Sequence, residues 1–251
     1  MKYLSIILIL IIVLSCKSET EVGGLSADAI ISKSIEVSGG ELYNTSDIIF
    51  DFRNIKYRAQ RNNLDFSLGR VIVKEDDSIF DLLGNDGFER FINEKPIKLE
   101  DSMVKKYTAS VNSVHYFSVL PYGLNDKSVN KTLLGEEKIK TKDYSKIKVT
   151  FNQDGGGEDY EDVFVYWINK ASFKVEYLAY SYSEDDGTGM RFREAYNERY
   201  VNGLRFVDYN NYKAEDASIP LIDLGKAFEK NQLNLLSKIE LENIKVDLID
   251  N

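Results

Sequence analysis

Most of this chain alternates apolar and polar residues with a period of two, the pattern of half-buried strands. Three stretches depart from it. In Ser26–Val37 the residues Ala27, Ile30, Ile31, Ser34 and Ile35 mark one helical face. Ser26 is placed to cap that helix, Asp28 suits its N-terminal dipole, and Ser38-Gly39-Gly40 ends it. In Glu100–Tyr116 the residues Met103, Tyr107, Val111 and Val114 share one stripe, which predicts a second helix. Pro121 and Gly123 then force a turn. Pro220–Asn231 predicts a third, short helix.

Around these helices run two sets of strands. In the first, Ile48, Phe50 and Phe52 alternate with Ile49, Asp51 and Arg53. Strands then follow at Lys56–Arg61, Asp65–Val73, Ser78–Leu83 and Phe88–Ile92, with turns at Asn62-Asn63, Glu75-Asp76-Asp77 and Gly84-Asn85-Asp86-Gly87. Loops this short predict an antiparallel meander. The second set begins at Val129–Leu134 and continues through Lys146–Phe151, Asp162–Ile168, Phe173–Tyr182, Met190–Tyr200 and Leu204–Tyr212. Asp162–Ile168 and Phe173–Tyr182 are apolar on both faces, so they are expected in the centre, covered on both sides. Leu236–Leu248 reads as one final strand whose change of parity at Glu242-Asn243 suggests a bulge. Asn112–Asn125 joins the two meanders, and the strands are expected to curve around it.

The N-terminus alters this picture. Lys2, the apolar run Leu4–Leu14, Ser15 and Cys16 form a targeting segment too short to span a bilayer comfortably. It resembles a bacterial lipoprotein signal, with cleavage before Cys16 and lipidation on it. Cys16 is the only cysteine, so it has no intramolecular disulfide partner. Lys17 after the cysteine resembles the pattern of lipoproteins sent on to the outer membrane. The expected organisation is a signal peptide over 1–16, a polar tether over 17–24 and one domain over 25–251. A net charge of −9 and a pI near 4.9 argue against a nucleic-acid partner. The expected partner is the membrane, reached through the lipid anchor by a monomer.

Several motifs carry a family resemblance: Asn112-Ser113-Val114-His115-Tyr116-Phe117, the run Leu120–Asp126, the run Tyr160–Asn169 and the run Arg191–Asn197. They resemble an uncharacterised group of Bacteroidota lipoproteins. The leading helix ending in Gly-Gly, the aromatic helix with its Leu-Pro turn and the two meanders also resemble the outer-membrane lipoprotein carrier and acceptor superfamily. That resemblance implies a mainly β, α+β fold: a curved antiparallel half-barrel with helices on its concave face. It also implies a site on that face for a lipid or other apolar small molecule. The expected lining is His115, Tyr116, Phe117, Leu120, Tyr122, Phe164, Tyr166, Trp167, Phe173, Tyr177 and Phe192.

Candidate chemistry is sparse. His115 is the only histidine, so with one cysteine no His/Cys zinc cluster is possible. Ser113 or Ser118 beside His115 would have to form a nucleophile pair without a Gly-x-Ser-x-Gly elbow, so no catalytic residue is assigned. No cofactor is expected. Asp154, Glu158 and Asp159 on one loop, and Asp185 and Asp186 on another, are either a weak Ca²⁺ site or solvated hairpin turns. Arg191, Arg193, Arg199 and Arg205 interleave with Glu194 and Glu198. They form either a cross-strand ion-pair ladder or, through Arg191 and Arg193, a grip on an anionic headgroup. Three functions follow: a lipid-anchored envelope protein binding an apolar or amphiphilic ligand, an outer-membrane assembly factor with a filled core, or an envelope hydrolase.

Overall fold

The computed structural model describes residues 24–157, 160–184 and 187–249. The signal segment, Cys16, the tether up to residue 23, and Glu158, Asp159, Asp185 and Asp186 lie outside the described residues.

Helix α1 (Ala27–Val37) begins at the expected cap, where Ser26 Oγ accepts the Ala29 amide at 3.2 Å. Ala27, Ile30, Ile31 and Ser34 form its buried face. A short 3-10 turn leads into β1 (Thr45–Phe52), β2 (Ile55–Asn62), β3 (Asp65–Lys74), β4 (Asp77–Gly84), β5 (Gly87–Ile92) and β6 (Lys95–Pro96). The β1–β2 and β5–β6 turns have two residues each, and Arg53, Asn54, Asn93 and Glu94 all take positive φ. That backbone twists with the flanking strands, which is why two-residue hairpins favour it. Helix α2 (Asp101–Ser118) follows, then β7 (Val129–Ile139), β8 (Lys142–Phe151), β9 (Val163–Asn169), β10 (Val175–Glu184), β11 (Gly187–Val201) and β12 (Leu204–Ala214). The chain ends its regular structure with helix α3 (Leu224–Glu229), β13 (Leu233–Ile239) and β14 (Glu242–Leu248).

The fold is mainly β and antiparallel, with few helices, as the alternation predicts. The strands divide into two seven-stranded sheets, ordered β14-β1-β2-β3-β4-β5-β6 and β13-β12-β11-β10-β9-β8-β7. Neither closes into a barrel. The parity change near Glu242 is not a bulge in one strand. It marks the point where the chain leaves the edge of the second sheet and joins the edge of the first. Asp208 holds this crossing. It is buried, accepts the Leu241 amide at 3.0 Å and pairs with Arg199 at 2.9 Å, while Arg199 also donates to the Leu241 carbonyl.

Three cores result. Ile48, Phe50, Tyr57 and Leu68 of the first sheet pack on Val111 and Val119 at α2. One face of the second sheet, with Ile147, Val149, Phe164, Tyr166 and Leu178, packs on α1 and on Leu120 and Leu124. Its other face, with Val165, Trp167, Tyr177 and Phe192, packs on Leu224 and Phe228 of α3. Strands β9 and β10 are therefore central and covered on both sides, as two apolar faces require.

This arrangement corrects the expected lining. Side chains alternate across a strand, so Trp167, Tyr177 and Phe192 cannot share a face with Phe164 and Tyr166. They lie under α3, with Trp167 and Phe192 fully buried.

Candidate functional site

Helix α2 lies between the two sheets and presents a different chemistry to each. Toward the first sheet it is closed. Asp81 is fully buried and accepts Arg70 Nε at 2.8 Å and Arg90 Nε at 2.6 Å. Arg70 Nη1 also donates to Ser110 Oγ on α2, and Arg90 lies 3.5 Å over the Tyr107 ring. His115 belongs to this side. Its ring meets Phe50 and Tyr57 edge-on, and Nε2 donates to the Gly69 carbonyl at 3.0 Å. Burial pushes the imidazole down to about 3, with Arg61 and Arg70 adding to the shift and the Gly69 hydrogen bond opposing it. His115 is therefore a neutral core group and does not line the cavity described next.

Toward the second sheet α2 leaves a cavity of about 470 Å³. Ala109, Ser110, Ser113, Val114, Phe117 and Ser118 form its helical wall. Tyr180, Arg193, Val207 and Tyr209 form the sheet wall, and Phe52, Ile239 and Leu241 close the side where the sheets meet. Glu161, Asp162, Tyr182 and Ser183 border it at the loop end of β9 and β10. A smaller cavity of about 100 Å³ shares Ser113, Phe117 and Asp162 with it and reaches Tyr116, Phe151 and Phe164. Tyr116 and Tyr166 are joined there by a 2.7 Å hydroxyl contact.

Arg193 is the charged group of the sheet wall. The alternation of β11 turns Arg193 toward α2 and Phe192 toward α3. Its Nη2 donates to Tyr180 Oη at 2.8 Å, and its guanidinium stacks 3.8 Å from the Phe117 ring. Nε is buried without a hydrogen-bond partner. Burial pushes the guanidinium down from its ordinary value, and the phenols Tyr180, Tyr209 and Tyr166 counter that.

The other expected site residues scatter. Leu120 is core, and Tyr122 stacks on Tyr43 under Arg61. Phe173 borders a void of about 60 Å³ near α1. Arg191 lies over Tyr182. The ladder reading holds for Arg199, paired with Asp208, and for Arg205, paired with Glu198. Of the carboxylates weighed for Ca²⁺ only Asp154 is described, and it is exposed. No group of three possible ligands is placed to hold a metal among the described residues. Tyr180, Val207 and Tyr209 line the cavity and are not among the residues expected from sequence. In the observed register Leu178 pairs with Arg193 and Ala195 with Tyr209, which places Tyr180 and Tyr209 on the face of Arg193.

A family model described as a family of unknown function, DUF6503, matches residues 2–241. No curated protein matches the chain. Among solved structures, a LolA superfamily protein from Nitrosomonas europaea is 11% identical, with 90% of this chain and 94% of that one covered at a TM-score of 0.48. A DUF1329 family protein from Desulfovibrio piger is 8% identical, with 88% and 93% covered at a TM-score of 0.40. Lipoprotein LppX from Mycobacterium tuberculosis is 13% identical, with 65% and 92% covered at a TM-score of 0.29. At these scores the likeness carries no functional weight.

Proposed function

We propose a function on the premise that this chain belongs to DUF6503, a family of unknown function: it is a lipid-anchored protein of the outer membrane that binds an apolar or amphiphilic molecule. The binding site is the cavity between α2 and the second sheet. One observation carries this reading. A void of about 470 Å³, walled by Val114, Phe117, Tyr180, Val207 and Tyr209, falls in the size range of small-molecule sites. The assembly-factor reading requires a filled core at this place. The hydrolase reading gave its base to His115, which is sealed against Phe50 and Tyr57. The anchor is argued from the sequence alone, from the apolar run ending at Cys16.

The described fold begins at residue 24, so residues 17–251 contain all of it. Expressed without the anchor, purified without detergent and extracted for mass spectrometry, this chain is expected to release a bound amphiphile. The emptied protein is expected to take up a fluorescent fatty acid, and Ser113→Trp, which fills the cavity, to abolish uptake. An empty protein that refuses the probe would overturn the reading. Metabolic labelling with a palmitate analogue, lost in Cys16→Ala, tests the anchor separately.

A further inference from the structure

We infer that Arg193 holds the head of the bound molecule and that this head is a carboxylate, so that the ligand is a long-chain carboxylate amphiphile. The inference rests on the cavity reading above and names the ligand class for the same site.

Four observations carry it. Arg193 lines the cavity yet is only 8% exposed, so its charge has lost most of its hydration. A buried cation is ordinarily neutralised by a carboxylate, as Asp81 neutralises Arg70 and Arg90. Among the described residues no carboxylate lies within ion-pair distance of Arg193, and the groups that raise its proton affinity are phenols. Its Nε is buried and unpartnered, while Nη2 has already found Tyr180.

The geometry selects the head group. A guanidinium presents its N–H groups as a planar fork that matches the two oxygens of a carboxylate. Among the described residues the cavity wall contributes no lysine and no second arginine, so these supply a single positive charge. Glu161 borders the same cavity and opposes any head of higher negative charge. One cation with an acidic residue nearby suits a monoanion better than a phosphate dianion. The hydrocarbon then lies along Val114, Phe117, Val207 and Tyr209, where burial of apolar surface supplies most of the affinity.

The test uses residues 17–251 and four dansyl-labelled probes of one chain length: undecanoic acid, its methyl ester, undecanol and undecyl phosphate. Wild type is expected to bind the acid about 10- to 100-fold more tightly than the ester or alcohol, the range of one charge-assisted contact. Arg193→Gln is expected to erase that preference, so that acid and ester both bind and do so with similar affinity, which also shows that the cavity has survived. Arg193→Lys, which keeps the charge and loses the fork, is expected to retain part of it. Equal binding of acid and ester by wild type would overturn the carboxylate assignment and leave the cavity reading standing. So would an undiminished preference in Arg193→Gln, or tighter binding of the phosphate than of the acid. Failure of all four probes to bind would overturn both.

Discussion

Two arginines on strands beneath α2 have opposite surroundings. Arg70, on β3, shares the buried Asp81 with Arg90 and reaches across to Ser110. Arg193, on β11, meets a tyrosine hydroxyl, an aromatic face and a cavity. The first site is complete, and its charges, aromatics and histidine fix the helix to its sheet. The second is built from similar parts, but among the described residues no carboxylate pairs with its guanidinium. The same helix is thus cemented on one side and held off by a void on the other.

The largest effect is expected from removing the anion of the complete side. Asp81→Asn strands two buried guanidinium groups and is expected to cost about 3–5 kcal/mol, the usual loss when one partner of a buried pair is removed. Urea unfolding of wild type and variant measures it. A loss below about 1 kcal/mol would mean that the two sides do not differ as described.

Acid probes the same side through His115. Its folded value is pushed down to about 3 from an ordinary 6.5, so between these values the unfolded chain binds the extra proton. The contribution of the neutral imidazole is fully present above pH 6.5 and is lost as pH falls from there toward 3. Stability is expected to drop by up to about 1.4 kcal/mol per pH unit across that window, in addition to the carboxylates. Urea midpoints at pH 7, 6 and 5 give the slope, and His115→Phe is expected to flatten it.

The smallest expected effect belongs to the incomplete side. Arg193→Leu removes a cation that no carboxylate among the described residues neutralises, so the ligand-free protein is expected to stay within about 1 kcal/mol of wild type, on the stabilising side. A large loss in the urea midpoint would show that Arg193 is structural cement as well.

Much of the fold could be read from local pattern. Strand alternation, the Ser26 cap, the stripe of α2 and the central place of β9 and β10 each depend on neighbours in sequence. The crossing between sheets could not, because a parity change at Glu242 looks the same for a bulge and for a strand that changes partner. The mixed aromatic lining failed for a different reason. Residue type alone groups these rings, but Tyr166 and Trp167 are adjacent on a strand and must diverge. His115 neighbours Tyr116 and Phe117 in sequence, yet on a helix such neighbours point about 100° apart. Arg193 was named from sequence. That no carboxylate among the described residues reaches it depends on register and on which helix covers it, and no linear pattern states either.

The crossing at Glu240–Leu241 also sets the order in which the molecule can be finished. Ser46 on β1 faces Leu248 on β14, so one flank of β1 waits for nearly the whole chain to be synthesised. Until then that flank is an open row of amides and carbonyls, a template for pairing with other chains. Contacts this distant in sequence form slowly. The first sheet is therefore complete only when the last strand, β14, has paired with β1.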